Sequence, residues 1–227
     1  MTEPVRVDLG CGAVPRPGFV GLDQVEGSHT DHVLDLTRDR YPFRDRSVDE
    51  VFSSHFLEHI EAPNHVFSEI ARICKDGARI EFWTPYAFSD EAFLYGHLHF
   101  ITEEMWLHFC VSRRDYHVDL LKGRWQLHRV VYVVLPGTLE DLARQGVGLD
   151  FAIRYLKGVV HELGVEIEFR AELGVVAIVP ERVFATSRDG ERHPVETWEP
   201  PVAVAQPRAH IGSRLARRIW SRVGRRR

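Results

Sequence analysis

Apolar and polar positions alternate between two periods along the chain. Val5-Arg6-Val7-Asp8-Leu9 is a short β-like run stopped by Gly10-Cys11-Gly12, and Pro15, Pro17 and Gly18 forbid a long helix after it. Further β-like runs cover Phe19 to Asp23, His32 to Leu36 and Val48 to Ser54. The period then changes. Val66, Phe67, Ile70, Ile73 and Cys74 fall on one helical face, predicting a helix from about Pro63 to Lys75, with Gly77 placed to end it. Ala78 to Thr84 reads as a fifth strand, ended by Pro85.

The second half continues the alternation. Thr102-Glu103-Glu104 looks like a helix start, with a capping hydroxyl and two acids in the first turn. Leu127 to Leu135 is strongly β-prone, Thr138 opens a helix, and Leu149, Ile153, Leu156, Val160 and Leu163 predict another over 149–163. Val165 to Phe169 and Val175 to Val179 read as strands joined by a tight turn near Gly174. The pattern is α/β, an otherwise parallel sheet closed by an antiparallel C-terminal hairpin.

Length and composition narrow the picture. The 227 residues suit one α/β domain with a good core and are short for two. There is no run of 18 apolar residues, so no membrane-spanning helix is expected. Met1-Thr2-Glu3-Pro4 lacks the basic and apolar regions of a signal peptide. Cys11, Cys74 and Cys110 are far apart, form no CxxC pair and fit a reducing compartment, so a cytoplasmic location is expected. Three segments are read: a domain over 1–197, a proline-rich linker over 198–207 and a basic tail over 208–227.

The net charge of −4 conceals an asymmetry. From Pro207 to Arg227 there are eight arginines and no acid, which leaves −12 for everything before. An acidic body argues against a nucleic-acid partner on the main surface. In the tail, Ile211, Leu215, Ile219 and Val223 stand four apart among arginines. Such a helix could lie peripherally on an anionic membrane or bind an anionic carrier; a solvated tail is the alternative. Self-association to a homo-oligomer is left open.

The strongest chemical signal is Val7-Asp8-Leu9-Gly10-Cys11-Gly12. A strand ending in G-x-G turns sharply and lets a ligand approach the backbone. Asp23 ends the next strand, where a carboxylate can accept both hydroxyls of a ribose, and Asp35-Leu36 ends the third, where it could meet an adenine. A nicotinamide site would want G-x-G-x-x-G opening a helix. Here the third glycine is missing and Val14-Pro15-Arg16-Pro17 interrupts. A purely structural turn at Gly10 and Gly12 remains the plain alternative.

Four ordered motifs carry a resemblance. Asp8 to Gly12 followed by Gly18-Phe19-Val20-Gly21-Leu22-Asp23 resembles the opening of small class I, type 11-like S-adenosylmethionine-dependent methyltransferases. Tyr41 to Asp49 is similar to their P-F-x-D-x-S-F-D segment, His55-Phe56-Leu57-Glu58-His59 to H-x-L-E-H, and Arg72 to Gly77 to R-V-L-K-P-G-G, with Asp76 and Ala78 departing from it. The similarity covers residues 5 to 110. It implies a Rossmann-like, mostly parallel seven-stranded sheet and S-adenosyl-L-methionine as cofactor. Asp8, Gly10, Cys11 and Gly12 would line the methionine part, Asp23 would hold the ribose, Asp35 and Leu36 would border the adenine, and Ser54 and His55 would lie beside the cofactor. The short link between the first two strands matches a compact subgroup that includes sugar and polysaccharide methyltransferases.

Methyl transfer to a hydroxyl requires alignment and removal of a proton. Gly96-His97-Leu98-His99-Phe100-Ile101-Thr102 resembles the family's T-H-x-x-F-x-T segment. His97 is therefore the candidate general base and His99 the second candidate; a loop histidine bonded to backbone is the alternative. His55 and His59 could share a helical face, but a capped helix start is favoured and no metal site is expected. Tyr86, Phe88, Tyr95 and Trp106 could stack on a sugar or aromatic acceptor, with the core the default place for Trp106. The expected activity is O-methylation of a small molecule, a saccharide or specialised metabolite. The alternatives are an N- or C-methyltransferase, and a non-catalytic methyltransferase-like binding module.

Overall fold

The computed structural model describes residues 3–27 and 29–195. The proposed linker and basic tail lie outside the described residues. Nine strands form one sheet among the described residues: β1 Arg6–Leu9, β2 Val20–Asp23, β3 His32–Val33, β4 Val48–Ser54, β5 Cys74–Pro85, β6 Arg124–Val133, β7 Glu162–Arg170, β8 Glu181–Ala185 and β9 His193–Pro194. Their order is β3-β2-β1-β4-β5-β7-β6-β8-β9. Only β7 and β9 run against the rest. The helices are α1 Asn64–Ile73, α2 Glu103–Leu107, α3 Val118–Leu121, α4 Pro136–Gln145 and α5 Leu149–Tyr155. None is long and apolar enough to cross a membrane.

The mostly parallel α/β sheet with an antiparallel C-terminal part is thus present, with two more strands than the seven expected. The antiparallel member differs in detail. β7 inserts between β5 and β6, and its pairing with β6 spans two helices instead of a tight turn. The apolar run Val175 to Val179 is not a strand. Its carbonyls at Val175 and Val176 accept side-chain hydrogen bonds from Arg114 and Gln126, and the next strand is β8, parallel to β6.

Two helix limits also move. α1 stops at Ile73 and Cys74 already belongs to β5, so Gly77 does not cap the helix. It sits inside the strand at φ 82°, where the register with β4 shifts. The helix expected over 149–163 ends at Tyr155; Val160 and Leu163 are buried, but Val160 follows the helix and Leu163 lies in β7.

The two faces of the sheet differ. Val7, Val51, Ile80, Ile167 and Leu127 stand in register on one face, and so do Leu9, Phe82, Val165 and Val130. Every helix packs on the core they form. Phe67 from α1, Trp106 from α2, Leu121 from α3 and Ile153 from α5 are all buried there, and Leu139 and Leu142 of α4 lie against it. The opposite face presents Asp8, Phe52, Glu81, Glu166, Arg129 and Glu181 in one row. Among the described residues it carries no helix, only a small strand-borne cluster around Trp83 and Val131.

Candidate active site at the carboxyl ends of the strands

β1 is flanked by β2 on one side and β4 on the other, so chain progression reverses between β1 and β4. In an open α/β sheet the crevice outside such a reversal is where ligands bind. Gly10 and Gly12 leave β1 at this point, and Ser54 and His55 leave β4.

The glycine loop is fixed by its neighbours. Gly10 and Gly12 adopt φ 69° and 62°, a region that penalises any side chain. A Cβ at Gly10 would lie 2.6 Å from the side chain of Phe56, whereas at Gly12 nothing stands within 4 Å. Gly10 is therefore needed for packing, and Gly12 borders open space that a ligand can enter. Asp23 holds the loop: its Oδ2 accepts from the Gly12 N–H at 2.8 Å and its Oδ1 from the Val25 N–H at 2.9 Å. A carboxylate has about four acceptor sites, so two remain for the hydroxyls of a ribose.

Asp8 is buried, and burial raises its carboxyl pKa, offset in part by the Arg16 N–H that it accepts at 2.8 Å. It fastens the 10–19 connection to β1. The Cys11 thiol is pushed up to about 11 by burial and by the Asp8 and Asp23 charges, so it stays protonated. Asp35 lies beyond the two-residue β3, and its Oδ1 takes both the N–H and the hydroxyl of Thr37. The Leu36 side chain is buried in the core and its carbonyl accepts from Tyr41 Oη, so it can border a ligand only by its backbone.

Beyond β4 the chain forms a charged hub. His55 has φ 52°, a strained value for a non-glycine residue. Its Nε2 lies 2.7 Å from Glu162 Oε1 and its Nδ1 3.1 Å from Glu58 Oε1. Hydrogen bonding to Glu162 first, and then to Glu58, raises the imidazole to about 9, so His55 is a cation at neutral pH. Burial pushes Glu162 up, but Arg188 and His55 outweigh it and leave the carboxyl at about 2. Arg188 grips Glu162 with Nε at 2.8 Å and Nη2 at 2.7 Å, donates to Ser54 Oγ at 2.7 Å and lies over the Trp83 ring. Ser54 and His55 thus stand at the crevice, held by Glu162 and Arg188, which are 108 and 134 residues from Ser54. No local motif announces those two partners.

The proposed acceptor side adjoins this hub. A single 3-10 turn, Leu57–His59, follows β4, and the carbonyl of Glu58 accepts from the Leu98 N–H at 2.6 Å. That bond pins the 94–100 loop to the turn. His97 meets the His59 ring edge-on at 4.6 Å, and its Nδ1 is buried without a hydrogen-bond partner. His99 points elsewhere, its Nε2 on the Ile60 carbonyl at 2.7 Å. Phe88, Phe93, Tyr95 and Phe100 are exposed along the same loop.

Residues 20–82 match a family model described as a methyltransferase domain. Among solved structures, a SAM dependent methyltransferase from Archaeoglobus fulgidus is 15% identical and superposes at a TM-score of 0.52, covering 73% of this chain and 86% of that one. A geranyl diphosphate C-methyltransferase from Streptomyces coelicolor A3(2), in complex with Mg2+, geranyl-S-thiolodiphosphate and S-adenosyl-L-homocysteine, is 16% identical over 74% of this chain and 70% of its own, at a TM-score of 0.43. The fold is the Rossmann-like methyltransferase fold. No curated protein matches the chain.

Proposed function

We propose that the chain is an S-adenosylmethionine-dependent methyltransferase that methylates a hydroxyl of a small molecule, a saccharide or specialised metabolite. The observation that carries the cofactor half is the pairing of Gly12 with Asp23 at the strand-order reversal. An open glycine corner and a carboxylate with two spare acceptor sites face one crevice. When bound, the cofactor supplies an electrophilic methyl group on a sulfonium.

The chain supplies placement and proton handling. Asp23 holds the ribose, the backbone of Gly10 to Gly12 with Asp8 behind it lines the methionine end, and Asp35 and Leu36 border the adenine. His55, fixed as a cation between Glu58 and Glu162, sets the shape and charge of the wall after β4. His97 takes the acceptor proton, and the exposed aromatics of the 88–100 loop offer faces on which a sugar ring can stack. His99, tied to the Ile60 carbonyl, serves the loop in place of the chemistry.

Titration with labelled S-adenosylmethionine tests this. Binding that Asp23→Ala weakens and His97→Ala spares, with slowed turnover in His97→Ala, is the expected result. Absence of binding sinks the enzyme reading. Full turnover in His97→Ala removes that residue from the proton path.

A further inference from the structure

Beside the crevice lies a second set of polar groups. Glu58 is 1% exposed, and its Oε2 is buried without a hydrogen-bond partner; Oε1 faces His55 Nδ1. His55 answers one oxygen of this buried carboxyl and leaves the other without a partner, which is costly unless a further group meets it. His59 and His97 stand next to it. One ligand atom from each of Glu58, His59 and His97 lies within 4.8 Å of the others.

The arrangement has further marks of a coordination site. His59 Nδ1 lies 3.3 Å from the Gly96 carbonyl, which fixes that nitrogen as the donor and leaves Nε2 with a free lone pair. Metal-binding histidines are oriented in this way by a backbone carbonyl. Glu58 is oriented likewise, through the contact of its other oxygen with His55. His97 offers a buried, unpartnered Nδ1, on a loop anchored to Glu58 by the Leu98 bond.

We propose that Glu58, His59 and His97 bind a divalent first-row transition cation, with zinc the best match. Two imidazoles and one carboxylate are the ligand types of open zinc sites, which keep a further position free. A magnesium ion would instead call for an oxygen-dominated shell. With bonds of about 2.1 Å, tetrahedral ligand atoms stand roughly 3.4 Å apart, so side-chain rotations of about an ångström close the set.

The consequence for chemistry, unlike the binding, rests on the methyltransferase reading. The open position accepts the acceptor hydroxyl and lowers its pKa. The O–H bond breaks and its proton goes to solvent. The oxygen then bonds the methyl carbon as the carbon–sulfur bond breaks, and the sulfonium becomes a neutral thioether. With the cation bound, His97 is a ligand and the proton needs no side-chain base; in the metal-free chain His97 is the group that takes it.

The test is titration of chelator-treated protein, free of cofactor, with zinc chloride by calorimetry and with cobalt chloride by visible absorption. One cation per chain is expected. His59→Ala, His97→Ala and Glu58→Gln should each weaken it more than the roughly 10- to 100-fold seen for loss of an outer partner, and His128→Ala on the far sheet face should not. Because His59 is exposed, its alanine variant will fold even where Glu58→Gln does not. No stoichiometric binding, or equal binding by His59→Ala and His97→Ala, overturns the proposal. S-adenosylmethionine titrated into the same sample separates the two ideas: cation binding without cofactor binding sinks only the methyltransferase reading, and cofactor binding without cation binding sinks only this one.

Discussion

Glu162→Gln removes one negative charge from the hub while keeping the side-chain shape. In the wild type that carboxylate is buried, takes two hydrogen bonds from Arg188 and one from His55, and sits at about 2 against an ordinary 4.5. A shift of that size corresponds to roughly 3.4 kcal/mol at neutral pH as an upper bound. Both partners are about a third exposed, so solvent screening reduces the figure to about 2 kcal/mol. For a depressed carboxyl, the stabilisation is present above the unfolded-state pKa and lost as pH falls through the folded one. The gap between wild type and variant should therefore be about 2 kcal/mol from pH 7 down to about 5, narrow below pH 4.5 and vanish near pH 2. Urea unfolding at matched ionic strength from pH 7 to 3 measures it, and the melting temperature at pH 7 should fall by about 4–8 °C. A gap that stays constant between pH 7 and 3, or none at pH 7, refutes the assignment of Glu162 as the charged keystone.

Other expectations are equally direct. Gly164 lies under the Trp83 ring, where a Cβ would come within 2.5 Å of it. Gly164→Ala should cost about 1–3 kcal/mol by overpacking and little in a Trp83→Val background; equal costs in both would show that the ring is not the obstacle. Asp23→Ala should weaken S-adenosylmethionine by about 30-fold or more, since one hydrogen bond to a charged group contributes about 1.5–3 kcal/mol. Isothermal titration reads this, and unchanged affinity removes Asp23 from the ribose site. If the basic tail carries membrane binding, deleting 208–227 should abolish sedimentation with vesicles of anionic lipid and leave the melting temperature of the remainder unchanged. Vesicle binding that survives the deletion assigns it to another surface.

What could be read in advance depended on whether a feature was local. β4 is found at the limits that its apolar spacing predicts, and G-x-G and Asp23 meet because both end neighbouring strands. The strand expected over 175–179 fails for a non-local reason. Its valines are strand-prone, but strand propensity describes a fit to a pleated neighbour, and β6 takes β8 instead. The helix expected over 149–163 was extended by Val160 and Leu163, whose spacing suits a helix and whose burial arises in and just before β7. The hub was invisible because Glu162 and Arg188 reach His55 and Ser54 only through the order of the sheet. Glu58 carries no signal of its own in the sequence, because an acid beside a histidine says nothing of burial.

The bare face of the sheet explains why loops build the site. Parallel strands are normally covered on both sides, but the 10–19 connection holds two prolines and cannot supply a helix for the second. The sequence compensates with charge. Arg6 pairs with Glu50, Arg16 with Glu81, and Arg129 with Glu166 and Glu181 across that face. Exposed pairs of this kind contribute little stability each, so they keep the face wettable while the helix side carries the core. A wall that a first helix would have provided must then come from elsewhere. Two pinned loops provide it: residues 10–19, held by Asp8 and Asp23 and stacked through Arg16 on Phe52, and the stretch after β8, held by Glu162 and Ser54 through Arg188. A site bounded by loops tied down through single carboxylates should be sensitive to the loss of any one of them, which is why Asp23 and Glu162 are the positions where binding and folding can be tested apart.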